Sequence, residues 1–355
     1  MGFVIKLENK YLSFFVSVLI FISLSPAIFG GIFTKVSLII LIVFNTFMFC
    51  NIKRLKYIFF IMIVFLILIL KSIINDDNVD SSIYILLLNI LFFVTLYKSH
   101  NVYLNAYLRG ILISVILGFV MSVISIYYGL NQYSVSLANK GFLNIHSITG
   151  FTKIPQTFGS LCILLMFIFM TKKNKIFSNL FLIISMLTIN RVSLFTGLLL
   201  KSTSFNKLYY IVILIVIFPL LWLLPDLTII NNSQTIFSRF DMILNIIQHM
   251  LNQNIFDLLF GSFQLPDFSI YKGTDITYIE NGFMFIFYYF GIVGVLSYLL
   301  FSFYILCNVR KKGKIYVYYS FLVLIVIPNF THEYLFLSFY LSLIFILSNK
   351  NNTYQ

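Results

Sequence analysis

The carboxylate of Glu280 stands where a polar stretch turns apolar, in YIENGFMFIFYYFGIVG, and it is the first candidate for chemistry in this chain. Acids are scarce, since Asp and Glu together number 11 among 355 residues. Helix N-termini favour carboxylates, so Glu280 fits the cap of an apolar helix. It also fits a general base or acid at the water–lipid boundary, with a pKa tuned by partial burial and a nearby arginine. Both accounts stay open on position alone.

Two arginines are candidates for binding an anion. Arg191 stands between two apolar runs in TINRVSLFTGLLL, and an arginine at membrane depth is costly unless it is paired or hydrated. Arg239, in FSRFDMILNII, carries a guanidinium fork that matches phosphate oxygens in a way that lysine cannot. The alternatives are that Arg191 extends to the water interface and that Arg239 forms a weak exposed ion pair with Asp241.

A histidine and a glutamate adjoin each other in PNFTHEY. His332 and Glu333 are either a proton-transfer pair or two solvated residues on a turn. Lys153, in an earlier polar segment, is a further candidate for anion binding. No zinc-ligand spacing, phosphate-binding glycine loop or nucleophile elbow occurs, and the cysteines share no spacing motif. We therefore expect no metal and no cofactor.

The elements that must position these residues are membrane helices. The chain is 60% hydrophobic and only 10% charged, with a mean hydropathy of +0.99, whereas a soluble domain carries about 25% charged residues. Its apolar runs reach the length that crosses a bilayer, and such continuous runs indicate helices rather than barrel strands. The net charge of +13 reflects lysines and arginines on cytoplasmic loops, so we expect no nucleic-acid partner.

The pattern of apolar runs predicts an all-α, polytopic membrane protein with about 12 transmembrane helices in a single domain over residues 1–355. The eighth run is short, so it is expected to form a hairpin with the seventh. The predicted spans are, to within a few residues, 12–31, 35–50, 57–74, 82–97, 106–128, 155–171, 176–190, 192–204, 208–224, 280–306, 316–329 and 334–348.

The charge distribution orients these spans. Placing both termini in the cytoplasm puts the basic stretches NIKRLK, KKNK and RKKGK inside and nearly all acids outside, as the positive-inside rule requires. Two long segments, 129–154 and 225–279, are then external. The second, larger loop is predicted to contain an amphipathic helix near the outer membrane surface. Its apolar face is expected to comprise Ile236, Phe240, Ile243, Ile247 and Leu251.

Three motifs occur in an order that resembles the O-antigen polymerase and ligase superfamily. They are NRVSLFTGLL at 190–199, FSRFDMILNII followed by DLLFGSF within 237–263, and ENGFMFIFYYFGIVGVLSYLLF at 280–301. The third contains the pair Gly291 and Gly294, which indicates close helix packing. The motifs cover roughly residues 175–305, and the large external loop near the C-terminal end matches the family's topology.

The resemblance implies a substrate and a location. The family acts on polyprenyl-pyrophosphate-linked oligosaccharides at the outer face of the cytoplasmic (inner) membrane. Its ligases usually carry a histidine before the asparagine of the third motif, where this chain has Glu280, and this difference favours a polymerase. Glu280 would then deprotonate the acceptor hydroxyl, while Arg191 and Arg239 would contact the donor pyrophosphate. The expected substrate-binding residues are Asn281, Tyr278, His332, Glu333 and Lys153.

Other functions stay open beside the polymerase, which would build O-antigen or capsular polysaccharide. One is a ligase that moves finished glycan to a lipid or protein acceptor. The other is a flippase or transporter without chemistry, although the polar residues gather at one external face rather than along a path through the membrane. The expected partners are the lipid-linked oligosaccharide and membrane lipids, with a chain-length regulator and a flippase as further candidates.

Overall fold

The fold is built almost entirely from apolar helices. The computed structural model describes residues 10–49, 56–60, 62–63, 81–96, 101–137, 145–203, 242–262, 269–270, 274–275, 279, 281–330 and 335–348. The helices are α1 (Lys10–Ser23), α2 (Pro26–Phe49), α3 (Ser81–Leu96), α4 (Asn101–Tyr127), α5 (Pro155–Thr171), α6 (Lys175–Leu187), α7 (Arg191–Ser202), α8 (Ile255–Phe260), α9 (Gly282–Val309), α10 (Lys314–Phe321), α11 (Ile327–Phe330) and α12 (Leu337–Ser348). Residues 242–252 form a further helical segment.

Among the described residues, three helices are long and apolar enough to cross a membrane: Pro26–Met48, Tyr103–Tyr127 and Gly282–Lys312. Several shorter apolar helices accompany them, so the all-α class of a membrane protein is confirmed. The number of twelve spans and the orientation of the termini stay predictions. Of the predicted spans, 208–224 lies outside the described residues, and so does most of 57–74.

The boundary between the first two predicted spans is wrong. A single span was expected over 12–31, but α1 ends at Ser23 and α2 begins at Pro26. Proline suits the first turn of a helix, because its missing N–H would have no partner there anyway. The helix that starts at Pro26 then continues through a break at Gly30, where φ is 77°. The residues of the expected span's last turn therefore belong to the second helix.

The expected hairpin of the seventh and eighth runs is confirmed. Helices α6 and α7 are 13 and 12 residues long, and they pack against each other across a turn at 188–190. Asparagines cap both: Asn174 accepts from the amide of Phe177 at 3.2 Å, and Asn190 accepts from that of Ser193 at 3.0 Å. The caps fix where each helix begins.

The C-terminal helices form an antiparallel group. A 3₁₀ turn (Arg310–Lys312) joins α9 to α10, and a π-helical turn (Leu322–Val326) joins α10 to α11. The Tyr298 hydroxyl donates to the carbonyl of Leu324 at 2.7 Å. The hydroxyls of Tyr319 and Ser342 lie 3.0 Å apart. Because neighbours run in opposite directions, the end of α11 and the start of α12 lie at the same end of the group.

Helix α12 lies in the interior. Its residues from Leu337 to Ile346 are all buried, and α3, α5, α9 and α10 pack against it. At one end, the Lys312 ammonium donates to the carbonyls of Ile346 at 2.9 Å and Leu347 at 2.6 Å. Just before the other end, the Asn89 side chain donates to the carbonyl of Leu335 at 2.9 Å. Polar contacts therefore hold an otherwise apolar helix at both ends.

The predicted external segment 129–154 contains an ordered hairpin. Strands β1 (Ser134–Ser136) and β2 (His146–Ile148) pair antiparallel, with Val135 opposite Ser147. A 3₁₀ turn, Gly150–Thr152, follows and packs on α4 and α5. Phe151 is only 3% exposed and meets the ring of Tyr133 edge-on at 5.5 Å. A buried aromatic therefore anchors the hairpin to the helices.

A helix is present over 242–252, where the amphipathic loop helix was predicted, and the side that packs inside the protein differs from the predicted apolar face. The buried stripe consists of Met242, Ile246 and Met250. Leu251, expected in the apolar face, is 63% exposed. Apolar residues occur on both sides of this helix, so spacing alone did not choose between the two stripes. Two further short strands, β3 (Ser269–Ile270) and β4 (Thr274–Asp275), pair later in the loop.

Candidate functional site

The second and third sequence motifs are in direct contact. Helix α8 and Gly261, from the second motif, lie against the break in α9 at Gly291, from the third. The approach is between backbones: a Cβ on Gly291 would lie 2.4 Å from the Leu259 carbonyl carbon, and one on Gly261 would lie 2.3 Å from the Phe290 nitrogen. Both glycines have positive φ, 86° at Gly261 and 61° at Gly291. Glycine is required on both sides, because it permits this conformation and leaves room for the contact.

A hydrogen bond completes this contact. The amide of Ser262 donates to the carbonyl of Tyr288 at 2.8 Å. In an uninterrupted helix a carbonyl accepts from the residue four positions later, and the non-helical conformation of Gly291 interrupts that ladder. The segment after α8 thus supplies a donor where helix α9 breaks. We refer to the Gly261–Gly291 approach and this hydrogen bond together as the loop–helix contact.

The first turn of α9 identifies its cap. Asn281 is the N-cap residue, and its side-chain oxygen accepts from the amide of Met284 at 3.1 Å. The preceding described residue, Ile279, is 2% exposed. Glu280 lies outside the described residues. Of the two accounts left open for Glu280, the cap is therefore already provided by its neighbour, and the predicted substrate-binding residue Asn281 has a structural role in the helix.

Sequence reasoning overlooked His249. Its ring centre lies 5.8 Å from that of Tyr288, and one of its ring nitrogens lies 3.1 Å from the side-chain nitrogen of Gln253. Tyr288 is on α9, 2% exposed, two turns from the Asn281 cap. Spacing alone could not have found it, because this helix is apolar on two sides and spacing does not show which side is buried.

Arg191 is the first residue of α7. The turn before it is tightly held: the Thr188 carbonyl accepts a hydrogen bond from the Ser147 hydroxyl of β2, and the Thr188 hydroxyl donates to the carbonyl of Ser185 at 2.6 Å. Ile189 has a φ of 48°, in the left-handed region. Strand β2 therefore contacts the chain immediately before the candidate arginine.

Helix packing links the first and third motifs. Helix α11 packs against both α7 and α9. Helix α5 packs against α7 as well, and a Cβ on Gly159 would lie 2.2 Å from the Ser193 hydroxyl oxygen. Helices α5 and α7 therefore approach each other closely at Ser193, two residues after Arg191. The three motifs belong to one connected group of elements.

Lys153 lies between the 3₁₀ turn and α5, with an exposed side chain. Its φ of 65° is unusual for a residue with a side chain. The next residue, Ile154, is the N-cap of α5 and makes no side-chain capping bond. Lys153 is therefore a cation beside an uncapped helix start, which is a favourable combination for an anion.

The remaining predicted site residues are Glu280, Arg239, Tyr278, His332 and Glu333, and all lie outside the described residues. Met242, three positions after Arg239, begins the described part of the loop helix. Phe330, two positions before His332, ends α11. Within the described part of the chain, no group of three or more His, Cys, Asp or Glu side chains could hold a metal ion.

No family model, curated protein or solved structure matches this chain.

Proposed function

We propose that this protein polymerises polyprenyl-pyrophosphate-linked oligosaccharide repeat units at the outer face of the cytoplasmic membrane. The observation that carries the proposal is the loop–helix contact. It joins the segment that follows Arg239 in the chain to the helix that follows Glu280 and Asn281. Two motifs that the resemblance assigns to one active site are thus parts of one packed unit, although they are separated by a loop in the sequence.

The proposed reaction is transfer of a glycan from one carrier lipid to another. The acceptor hydroxyl attacks the anomeric carbon of the donor glycan, a new glycosidic bond forms, and the bond from that carbon to the pyrophosphate oxygen breaks. The acceptor proton goes to Glu280 and then to water. Arg191 and Arg239 stabilise the negative charge on the departing polyprenyl pyrophosphate, since charge-assisted hydrogen bonds to a leaving anion lower the barrier. Lys153 adds a further cation.

His249 extends this proposal. It is half-buried and in ring contact with Tyr288 on the helix that Asn281 caps. An imidazole has one ring nitrogen that donates and one that accepts, so it can take part in proton transfer during glycan transfer. We assign it to the binding of the acceptor sugar or to proton transfer, alongside Glu280.

The test is replacement of Glu280 in cells that lack the chromosomal copy. Glu280→Gln removes the ionisable group and keeps the shape, so we expect surface polysaccharide of a single repeat unit, with little or no polymer ladder on a gel. General acid–base catalysis is worth about 10²–10⁴-fold in rate, which is enough to abolish visible ladders. Protein abundance in the membrane is measured in parallel.

Asp275→Asn is the matched control, because it makes the same carboxylate-to-amide change in the same predicted loop but outside the three motifs. It should keep the ladder. A full-length ladder from Glu280→Gln at normal abundance would refute the role of this residue as base. Silent changes of both Arg191→Ala and Arg239→Ala would refute the proposed site.

The phenotype of a deletion separates the alternatives. Loss of a polymerase leaves single repeat units on the surface acceptor. Loss of a ligase leaves polymer on the carrier lipid, and loss of a flippase leaves repeat units on the cytoplasmic side. Extraction of the lipid-linked glycans and their length analysis therefore decide among the three functions.

A further inference from the structure

We infer that the β1–β2 hairpin of the first external segment is a positioning element for Arg191, acting through the Ser147–Thr188 hydrogen bond. The inference rests on the proposed function, because it concerns the arginine assigned to the donor pyrophosphate. It assigns a role to a segment that carries none of the three motifs. Ser147 and Ile189 are the positioning residues, and neither is a catalytic residue.

The turn before Arg191 is held in a strained conformation. Ile189 is β-branched and has a φ of 48°, a conformation that such residues rarely adopt. Its side chain is 45% exposed, so burial of this side chain is not what keeps the backbone in this conformation. Strained backbone persists only where surrounding contacts fix it. The contacts that do so here come from both sides of the turn.

On the first side, the hairpin supplies a hydrogen bond. Ser147 is 2% exposed, and its hydroxyl donates to the Thr188 carbonyl, directly before the strained residue. The hairpin is itself rigidly attached. The Ser122 hydroxyl of α4 donates to the Tyr133 carbonyl at 2.7 Å and accepts from the Gly150 amide at 3.1 Å. The position of Ser147 is therefore fixed by α4.

On the second side, α7 and α5 hold the chain. Asn190 caps α7 by accepting from the Ser193 amide at 3.0 Å. A Cβ on Gly159 of α5 would lie 2.2 Å from the Ser193 hydroxyl oxygen and 3.2 Å from that of Thr188. No larger residue than glycine fits this interface without a shift. The backbone from 188 to 193 is therefore fixed between the hairpin and α5, and Arg191 lies within it.

This arrangement has a functional consequence. An arginine that neutralises a leaving group must be preorganised, because reorientation during the reaction reduces its benefit. Long side chains lose entropy when ordered, but a fixed backbone limits the conformations available to them. Removal of the Ser147 hydrogen bond should therefore weaken binding of a polyprenyl diphosphate even though Ser147 need not touch it.

The experiment measures binding of farnesyl diphosphate, a soluble short-chain polyprenyl diphosphate, to the purified full-length protein. Ser147→Ala should weaken binding about five- to tenfold, the range expected for one lost hydrogen bond. Arg191→Ala should weaken it at least as much. The double variant should bind within about twofold of Arg191→Ala, because the hairpin acts through the arginine and the two effects are not additive.

Ser17→Ala is the matched control. The Ser17 hydroxyl also donates from a buried position to a backbone carbonyl of another element, that of Ala106 at 2.8 Å. It should bind farnesyl diphosphate like the wild type. Ile189→Gly provides a second variant that removes the strain instead of a contact. It should unfold at the wild-type temperature or above it, yet bind several-fold more weakly because the turn is less rigid.

The outcomes separate this inference from the proposed function. Normal binding by Arg191→Ala overturns the assignment of the arginine and, with it, the hairpin's role. Weak binding by Arg191→Ala with normal binding by both Ser147→Ala and Ile189→Gly overturns only the positioning role. Additive losses in the Ser147→Ala, Arg191→Ala double variant also overturn it, since they indicate a general structural defect.

Discussion

Replacement of Gly291 by alanine should separate α8 from the break in α9. The added Cβ would lie 2.4 Å from both the carbonyl carbon and oxygen of Leu259, and 2.7 Å from the Leu258 oxygen. These are backbone atoms, so no side chain can rotate to make room. With a φ of 61° and a ψ of −161°, the backbone at Gly291 lies in a region that is essentially restricted to glycine, which costs alanine about 1–3 kcal/mol. Loss of the Ser262–Tyr288 hydrogen bond adds about 1 kcal/mol, so the expected destabilisation of the loop–helix contact is about 2–4 kcal/mol.

Gly30 supplies the matched control. It also breaks a membrane helix, with a φ of 77°, but no atom lies within 4 Å of the position its Cβ would take. Gly30→Ala therefore bears the cost of the left-handed conformation without any collision. The difference between the two variants isolates the contribution of the contact with α8.

Hydrogen–deuterium exchange of the protein in nanodiscs is the appropriate assay, because it reports locally. The Ser262 amide is protected by its hydrogen bond to Tyr288, and exchange through local opening follows the free energy of that opening. A loss of about 1.4 kcal/mol or more speeds exchange about tenfold or more. Peptides covering residues 255–262 should show this in Gly291→Ala and not in Gly30→Ala. Unchanged exchange in Gly291→Ala would refute the contact.

Two further predictions concern residues beside α9. If Asn281 acts as a helix cap, Asn281→Asp should keep both the stability of the protein and the polymer length, because aspartate caps as well as asparagine. Asn281→Ala and the cap control Asn174→Ala should each lower the free energy of unfolding by about 1 kcal/mol. Loss of polymer in Asn281→Asp at normal thermal stability would instead indicate that Asn281 binds substrate. His249→Phe should keep the ring contact with Tyr288 but lower the rate of polymerisation about tenfold or more. The polysaccharide should then be shorter on a gel. A normal ladder would show that His249 does not belong to the proposed site.

The helical architecture could be predicted because it depends on the lengths of apolar runs. A run must be long enough to cross the bilayer and must bond its own backbone, and this requirement is visible in the letters between Tyr103 and Tyr127. The turn before Arg191 was likewise visible as an interruption between two short apolar runs. Orientation follows from the positions of lysine and arginine and stays a prediction.

Some details of the site were missed, and others could not be predicted because the sequence fits more than one arrangement. Asparagine is among the preferred N-cap residues and glutamate is not, so the cap at Asn281 was visible in the sequence, although the prediction considered only Glu280 for it. The Gly291–Gly294 pair fits close helix packing, but it does not reveal that Gly291 adopts a left-handed conformation against a distant loop. The helix at 242–252 is apolar on two sides, so its buried stripe, and with it His249, could not be chosen from spacing.

The buried position of α12 imposes an order on assembly. The helices that surround it, α3, α5, α9 and α10, all precede it in the chain and are therefore synthesised first. Asn89 of α3 donates to the Leu335 carbonyl, which lies 246 residues later in the chain. Most of the chain is therefore synthesised before this hydrogen bond can form. A polar group in an apolar helix is costly without a partner. The hydrogen bond of Asn89 and the packing around α12 can therefore be completed only after α12 has been synthesised.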